Sequence, residues 1–325
     1  MTTLNDVAKK ANVSKMTVSR VINHPEQVTD ELKTLVIQAM KELNYRPHTA
    51  AKALVNNRTL VIKFFILEKM STTEPYYMNL LTGIAKGLEE EQYSLQLVTQ
   101  NNFDIGLCDG YIMTGVRQQD YEWISGATKP VVLFGENDRG YDFVDTDNKQ
   151  GVATATQYAL DVGYEEIVYI GIDINEKFEK SREMGYKEVL KENGKEMSMY
   201  RFKNHSSLAA QFIEENWDSF KPNTAFVCSS DRLALGIGRG ILKMNGNIPD
   251  DYGIIGHDGV FLDQIAYPRL TTMKQPVIDM GVACAKMILK KISEKGVSQE
   301  SQLFQSTLVK RESTRTLEEN PQESN

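Results

Sequence analysis

At 325 residues the chain is long enough for two or three domains, and its 41% hydrophobic and 25% charged residues describe a soluble globular protein, excluding fibrous and wholly disordered classes. Cys108, Cys228 and Cys284 are far apart and odd in number, and the four histidines show no ligand spacing, so no disulfide framework, metal or cofactor is expected. The formal charge of −7 is unevenly divided: residues 1–58 carry nine Lys and Arg against five Asp and Glu, and the remainder carries 28 against 39, which places a basic head on an acidic body.

The head reads as three short helices. Leu4, Val7 and Ala8 recur at helical spacing, and Thr3 with Asp6 forms a capping box before them. The pattern breaks at Asn12-Val13-Ser14, where Ser14 can cap a second helix that buries Thr17, Val18 and Val21 and leaves Lys15, Met16, Ser19 and Arg20 outside. A third helix follows Thr29 as N-cap, with Leu32, Leu35, Val36, Ala39, Met40 and Leu43 on one stripe. Three short helices with a polar, basic second member form a helix-turn-helix, the geometry that places one helix in the DNA major groove. Lys15 and Arg20 can donate to guanine acceptors, Arg20 bidentately, and Met16 offers apolar contact to a thymine methyl. Lys15 fits a phosphate contact as well, and Ser14, Thr17 and Ser19 suit phosphates or the cap of their own helix. Pro47 ends the third helix at Arg46, and a fresh short helix can start near Thr49.

The segments Asp6-Val7-Ala8, Val13-Ser14, Thr17-Val18-Ser19-Arg20-Val21-Ile22-Asn23, Leu43-Asn44-Tyr45-Arg46-Pro47 and Ala51-Lys52-Ala53-Leu54 together resemble the LacI/GalR family of bacterial transcription regulators. The resemblance is dense over residues 4–58 and looser to about residue 315. It implies that positions 15, 16 and 20 set operator preference. It also implies that residues 48–58 form a hinge helix, with Ala51 and Leu54 in the minor groove and Leu54 wedged between the central base pairs. Two such heads on a homodimer call for an inverted-repeat operator. There is no C-terminal heptad repeat, so a dimer is expected and not a tethered tetramer.

From residue 60 strand-like and helical runs alternate. Leu60–Leu67 reads as a buried strand, and residues 76–91 as a helix with Met78, Leu81, Ile84, Ala85 and Leu88 inward. Ser94–Thr99, Gly110–Met113 and Pro130–Phe134 are further strands. After Asp147 the series restarts: helix 148–162, strand Ile167–Ile170, helices 177–193 and 206–217, strand Thr224–Cys228, helix 230–244, strands Gly253–Gly256 and Thr271–Lys274, and helix 276–293. Two such series predict two doubly wound parallel-sheet lobes with a ligand crevice at the carboxyl ends of the strands. The family resemblance implies the same periplasmic-binding-protein-like architecture. The expected domains are a head over 1–47, a hinge over 48–58, a two-lobed effector and dimerisation body over 59–315 and a polar tail over 316–325. Gly236, Gly238 and Gly240 fall inside a helical pattern and serve close helix packing rather than a nucleotide loop. No Walker A run, nucleophile elbow or paired catalytic carboxylates occur, so an enzyme is not expected. Leu60–Leu67 contains Lys63 and is too short for a bilayer, and no basic-then-apolar leader precedes the head; a cytoplasmic location without membrane contact is the expectation.

The resemblance further implies an effector cleft, with Tyr76 and Tyr77 as aromatics at the mouth of the first lobe, Asp147, Arg182, Ser230, Asp231 and Asp258 as polar contacts, and Phe202 as another ring. Carboxylates and an Arg bond hydroxyls while rings cover the apolar face of a sugar, although each carboxylate alone also fits an N-cap role. Departures from the family pattern include His257 for the usual aromatic, Gly259 for a second acid or amide, and a short Gln100–Asp109 connection. The adjacent tyrosines suit maltose or a related oligosaccharide. Expected function is repression of a carbohydrate-utilisation operon released by a small sugar. The alternatives are a catabolite regulator with a phosphorylated carrier protein as corepressor, and a sugar-binding module with a vestigial head.

Overall fold

The computed structural model describes residues 2–23, 27–45, 58–68, 75–98, 103 and 106–316. Ala51, Leu54 and the polar tail from residue 317 lie outside these. The chain divides into two compact units, residues 1–61 with 106–109, and residues 62–105 with 110–325. Asp109 explains why a distant tetrapeptide joins the first unit. Its carboxylate accepts from the Thr59 amide at 2.9 Å, the Thr59 hydroxyl at 3.0 Å and the Leu60 amide at 2.9 Å.

In the first unit α1 (Leu4–Lys10), α2 (Lys15–Asn23) and α3 (Asp30–Glu42) enclose a small core of Val7, Ala8, Ala11, Val18, Val21, Val36 and Ala39. Both reciprocal bonds of the Thr3–Asp6 capping box form, and Ser14 Oγ accepts from the Thr17 amide at 3.0 Å. Between α1 and α2 the chain reverses at Asn12 (φ 52°), a left-handed position that asparagine tolerates. Thr29 occupies the N-cap of α3 as expected, though without a side-chain bond, whereas the expected stripe fails at Leu35, which is 51% exposed, because this three-helix core is only wide enough for Val36 and Ala39 with Leu32, Met40 and Leu43 at its edge.

The second unit holds two six-stranded sheets. The first contains β1 (Val61–Ile66), β2 (Ser94–Val98), β3 (Gly110–Thr114), β4 (Val131–Phe134), β5 (Phe143–Thr146) and β11 (Gln302–Phe304), in the order β11-β5-β4-β3-β1-β2. The second contains β6 (Glu166–Ile172), β7 (Ser198–Phe202), β8 (Thr224–Cys228), β9 (Tyr252–Asp258), β10 (Thr271–Lys274) and β12 (Thr307–Val309), in the order β12-β10-β9-β8-β6-β7. The assigned pairs run parallel except β10 with β12. The chain passes between lobes three times: between β5 and α6 (Asn148–Asp161), between β10 and α11 (Val277–Ser293), and between β11 and β12.

In the first lobe α4 (Pro75–Glu89) and α11 cover one sheet face. Strand alternation turns Phe65 and Tyr111 to the other, where they meet Phe103 and Trp123, the last two stacked at 4.2 Å. Lys63 is fully buried there, its ammonium donating to the Phe103 carbonyl at 2.7 Å. In the second lobe α6 and α7 (Lys177–Glu192) pack on one face and α8 (Ser206–Glu215) and α9 (Asp231–Lys243) on the other. As the sequence indicates, Gly236 and Gly240 let α9 approach α8: a Cβ at Gly236 would lie 2.2 Å from the Ser206 carbonyl.

On α4 the expected stripe is displaced. Met78 is 56% exposed and Ala85 is exposed, while Leu80, Gly83, Ile84, Gly87 and Leu88 are buried. The reason is a backbone-to-backbone seam with α11, where a Cβ at Gly83 would meet the Ile278 carbonyl oxygen at 2.1 Å. Alanine at 83 gains up to about 1 kcal/mol of helix propensity, but overpacking against a backbone that cannot turn aside costs about 1–3 kcal/mol. Gly83→Ala is therefore expected to be net destabilised, with a melting temperature lower by a few degrees in differential scanning calorimetry.

Candidate functional site

Each unit presents one candidate surface. On the head, α2 turns Lys15, Met16 (65% exposed) and Arg20 to solvent, and neither cation has an ion pair or hydrogen bond to a described residue. Ser14 and Thr17 are engaged with each other, their hydroxyls 2.8 Å apart, so the cap role anticipated as one alternative is occupied. Ser19 is half-buried. The head is braced behind this face by Lys10 to Glu42 at 2.9 Å, which ties α1 to α3.

In the body a cleft of about 360 Å³ lies between the lobes, within the size range of small-molecule sites. Tyr76, Tyr77, Phe134, Glu136 and Asp145 line it from the first lobe, Phe178, Arg182, Ser230 and Asp258 from the second, and Gln275 from a crossover. Phe134 and Asp258 end β4 and β9, and Asp145 is the penultimate residue of β5, so the site sits at the carboxyl ends of both sheets.

Arg182 is buried on α7. Its Nε donates to Asn148 Oδ1 at 2.8 Å and its Nη1 to the Ser229 carbonyl at 2.6 Å, while Phe178 packs 5.1 Å from the guanidinium. Its Nη2 has no hydrogen bond to a described residue, which leaves a charged donor at the cleft wall. A relay crosses the joint: Tyr76 hydroxyl donates to Gln275 Oε1 at 3.0 Å, and Gln275 Nε2 donates to Asp258 Oδ1 at 3.1 Å. Asp258 has φ 136°, backbone that favours glycine and that costs an ordinary residue on the order of 1–3 kcal/mol. Its neighbour Gly259 is fastened by its amide to Asp231 Oδ2 at 2.8 Å.

Near the rim, Glu136 accepts from Ser181 at 3.1 Å and Glu176 from Gln118 at 3.5 Å, each pair spanning the lobes. Burial raises the carboxyl pKa of Glu136, Asp145 and Glu176. His257, buried just behind Asp258, is held well below its ordinary value by burial and then by the charge of Arg182, so it is neutral.

Three sequence-derived candidates do not line the cleft. Asp147 caps α6, accepting from the Gln150 amide at 2.9 Å, and Asp145, two residues earlier on the strand, takes the cleft position. Phe202 packs in the second-lobe core, 4.9 Å from the ring of Phe212. Asp231 is buried beneath the site, accepting from Thr272 Oγ1 at 2.6 Å as well as from Gly259. Sequence reading missed Glu136, Asp145, Glu176, Tyr121, Phe134, Phe178 and Gln275. For Phe134 and Asp145 the strand-end rule was the available signal.

The family model for bacterial regulatory proteins of the lacI family matches residues 3–48, and the model for a periplasmic binding protein-like domain matches residues 156–314. The HTH-type transcriptional regulator YvdE of Bacillus subtilis (strain 168) is 55% identical over 97% of this chain and 100% of its own length. The chain belongs to the LacI family. A ribose operon repressor of Halalkalibacterium halodurans, also similar, is 29% identical over 97% of this chain and 98% of its own. Among solved structures, the transcriptional regulator CelR in complex with cellobiose matches with a TM-score of 0.69 and 25% identity, covering 96% of this chain and 100% of that one. As a LacI-family member the protein is a DNA-binding transcriptional regulator and not an enzyme. Among the described residues no helix is long and apolar enough to cross a membrane.

Burial pushes Asp231 up to about 6 from an ordinary 3.8, against the opposing bonds from Thr272 and Gly259. Its folded value lies above the unfolded one, so its contribution to stability is full below about pH 4 and is lost as pH rises through 6. An Asn at this position can still accept from Gly259 and donate to the Thr272 hydroxyl. Asp231→Asn is thus expected to be at least as stable as wild type at pH 7.5, and the stability difference between them should shrink toward pH 4.5. Urea unfolding at both pH values checks this; a variant deficit at pH 7.5 that persists at pH 4.5 would sink it.

Proposed function

We propose that this LacI-family regulator represses a carbohydrate-utilisation operon, binding an inverted-repeat operator as a homodimer and leaving it when a small neutral sugar occupies the cleft between the lobes. The observation that carries the reading is the cleft itself: buried carboxylates, a charged donor on Arg182 and several aromatic rings, a donor set suited to ring hydroxyls and apolar sugar faces. Two similar proteins, a ribose operon repressor and a regulator complexed with cellobiose, support a saccharide. Residues 1–47 act as the DNA head, 48–58 as the hinge helix and 59–315 as the effector and dimerisation body, and the protein works in the cytoplasm, where its operator is.

On the head Lys15, Met16 and Arg20 read base edges, Ser14, Thr17 and Ser19 approach phosphates, and Ala51 with Leu54 enters the minor groove. In the body Tyr76, Tyr77, Arg182, Ser230 and Asp258 contact the effector together with Asp145. Asp231 acts on it through the Asp258–Gly259 turn. Effector and operator are coupled through lobe closure: a sugar that binds the closed cleft better by 1–3 kcal/mol, a typical allosteric coupling, weakens operator affinity by the same factor, roughly 5- to 150-fold.

Fluorescence anisotropy on the protein's own promoter DNA tests this. Arg20→Ala is expected to weaken operator binding about tenfold or more, since a bidentate base contact is worth about 1–3 kcal/mol of discrimination. Leu54→Ala should lose tight operator binding while retaining the sugar-induced rise in melting temperature. A saturating sugar at 100 times its dissociation constant should stabilise the body by about 2.7 kcal/mol. Sugars that raise the melting temperature yet leave operator affinity untouched would refute the coupling.

A further inference from the structure

Residues 48–58 join β1 through Thr59 and Leu60, and Leu60 meets two opposing demands. Its side chain is buried, yet its backbone is left-handed (φ 57°), a conformation that glycine and asparagine adopt readily and leucine does not. Glycine would ease the backbone and lose the buried side chain, so leucine here has to be held by something outside itself. The holder is Asp109, a buried residue that directly precedes β3. Its carboxylate accepts from the Thr59 amide at both oxygens (2.9 Å and 3.1 Å), from the Thr59 hydroxyl at Oδ1 (3.0 Å) and from the Leu60 amide at Oδ2 (2.9 Å). The Asp109 amide donates to the Val61 carbonyl at 2.9 Å, and the Thr59 hydroxyl accepts from the Val61 amide at 3.3 Å. Successive amides beside a left-handed residue make a concavity that suits an anion, and in this chain a side chain fills it. Thr59, Leu60, Val61 and Asp109 all belong to the first unit.

The assigned pairing of β1 with β3 starts at Ile62 and Gly110, so the Asp109 carboxylate acts on residues that precede the sheet. What comes before them in the chain is the segment proposed above to carry Ala51 and Leu54 into the minor groove. A side chain that wedges into one base step needs its backbone delivered along one path. A chain free to pivot at residue 60 has to lose that freedom each time it binds, which weakens the bound state. We propose that Asp109 is a positioning residue for operator binding: it holds Leu60 left-handed and so fixes the path along which residues 48–58 join β1. Its effect reaches the operator through Thr59 and Leu60 and not by contact with a base. The inference rests on the reading of residues 48–58 as the hinge. Binding to random-sequence DNA is carried by charge and needs no wedge, so it is indifferent to this path.

The test is fluorescence anisotropy of the full-length protein on its own promoter DNA and on a random-sequence duplex of equal length. Asp109→Ala is expected to weaken promoter binding about tenfold or more, a part of the margin by which specific binding exceeds non-specific binding. Its affinity for the random duplex, and the salt dependence of that affinity, should stay close to wild type. Asp109→Asn keeps one carbonyl oxygen for the two amides and should lose less. Thr59→Val deletes only the hydroxyl bonds and should lose least. Calorimetric melting establishes that each variant folds, and the two milder variants decide the matter if Asp109→Ala does not. Equal losses on both duplexes overturn the inference, as does an unchanged preference for promoter DNA in a variant whose melting temperature has fallen; either result makes Asp109 a structural brace alone. Leu54→Ala separates this from the hinge reading. If that variant loses promoter binding while the Asp109 variants keep it, only the inference falls; if it binds promoter DNA like wild type, the hinge reading falls and the inference with it.

Discussion

Burying a guanidinium in the joint between two lobes governs the state of everything around it. A buried charge is costly unless its donors find partners, and Arg182 meets this in part, with Asn148 from one crossover, the Ser229 carbonyl just past β8, and the face of Phe178. Its field works against burial at Asp145 and Glu179, whose carboxyls rise less than their surroundings alone would dictate, and with burial at His257, which stays neutral. Arg182 thus supports acids in the cleft while excluding a second buried cation behind it, and still offers one donor outward.

Much of this was readable in the chain because it rests on local chemistry. Thr3 with Asp6, Ser14 before α2, and the glycines of α9 act within one or two turns, and the structure keeps each of them. Alternation of strand and helix gave the two lobes for the same reason. Thr29 shows the limit: it takes the N-cap position of α3 that the sequence gives it, yet its side chain makes no cap bond.

What was not legible depends on partners far away in sequence. Met78 and Ala85 had the right spacing for a core stripe, but the glycine seam with α11, some 200 residues on, rotated the buried face of α4. Asp145 and Asp147 are two residues apart, and only the strand end at Thr146 decides that one faces the cleft and the other caps a helix. Tyr121 lies on a six-residue helix, α5 (Asp120–Ser125), and its ring is packed at the cleft wall by Tyr141 and Arg139. The three-residue strands β11 and β12 carry no periodicity at all; each exists because an edge of a sheet was waiting for it.

The three crossovers between the lobes have a mechanical consequence. Each is only a few residues long, and the first and third are tied together, the Asp147 amide donating to the Phe304 carbonyl at 2.8 Å and Gln305 Nε2 to Asp147 Oδ2 at 3.5 Å, so the joint is suited to serve as a fulcrum with the lobes as lever arms. Rotation about such a point displaces atoms in proportion to their distance from it. Under the lobe closure proposed above, Arg182 and Asn148 near the joint would keep their bond, whereas Gln118–Glu176 and Glu136–Ser181, which span the lobes, would be displaced. Such a swing would magnify a small change deep in the cleft with distance along each lobe, and the two pairs that span the lobes are the contacts it would strain.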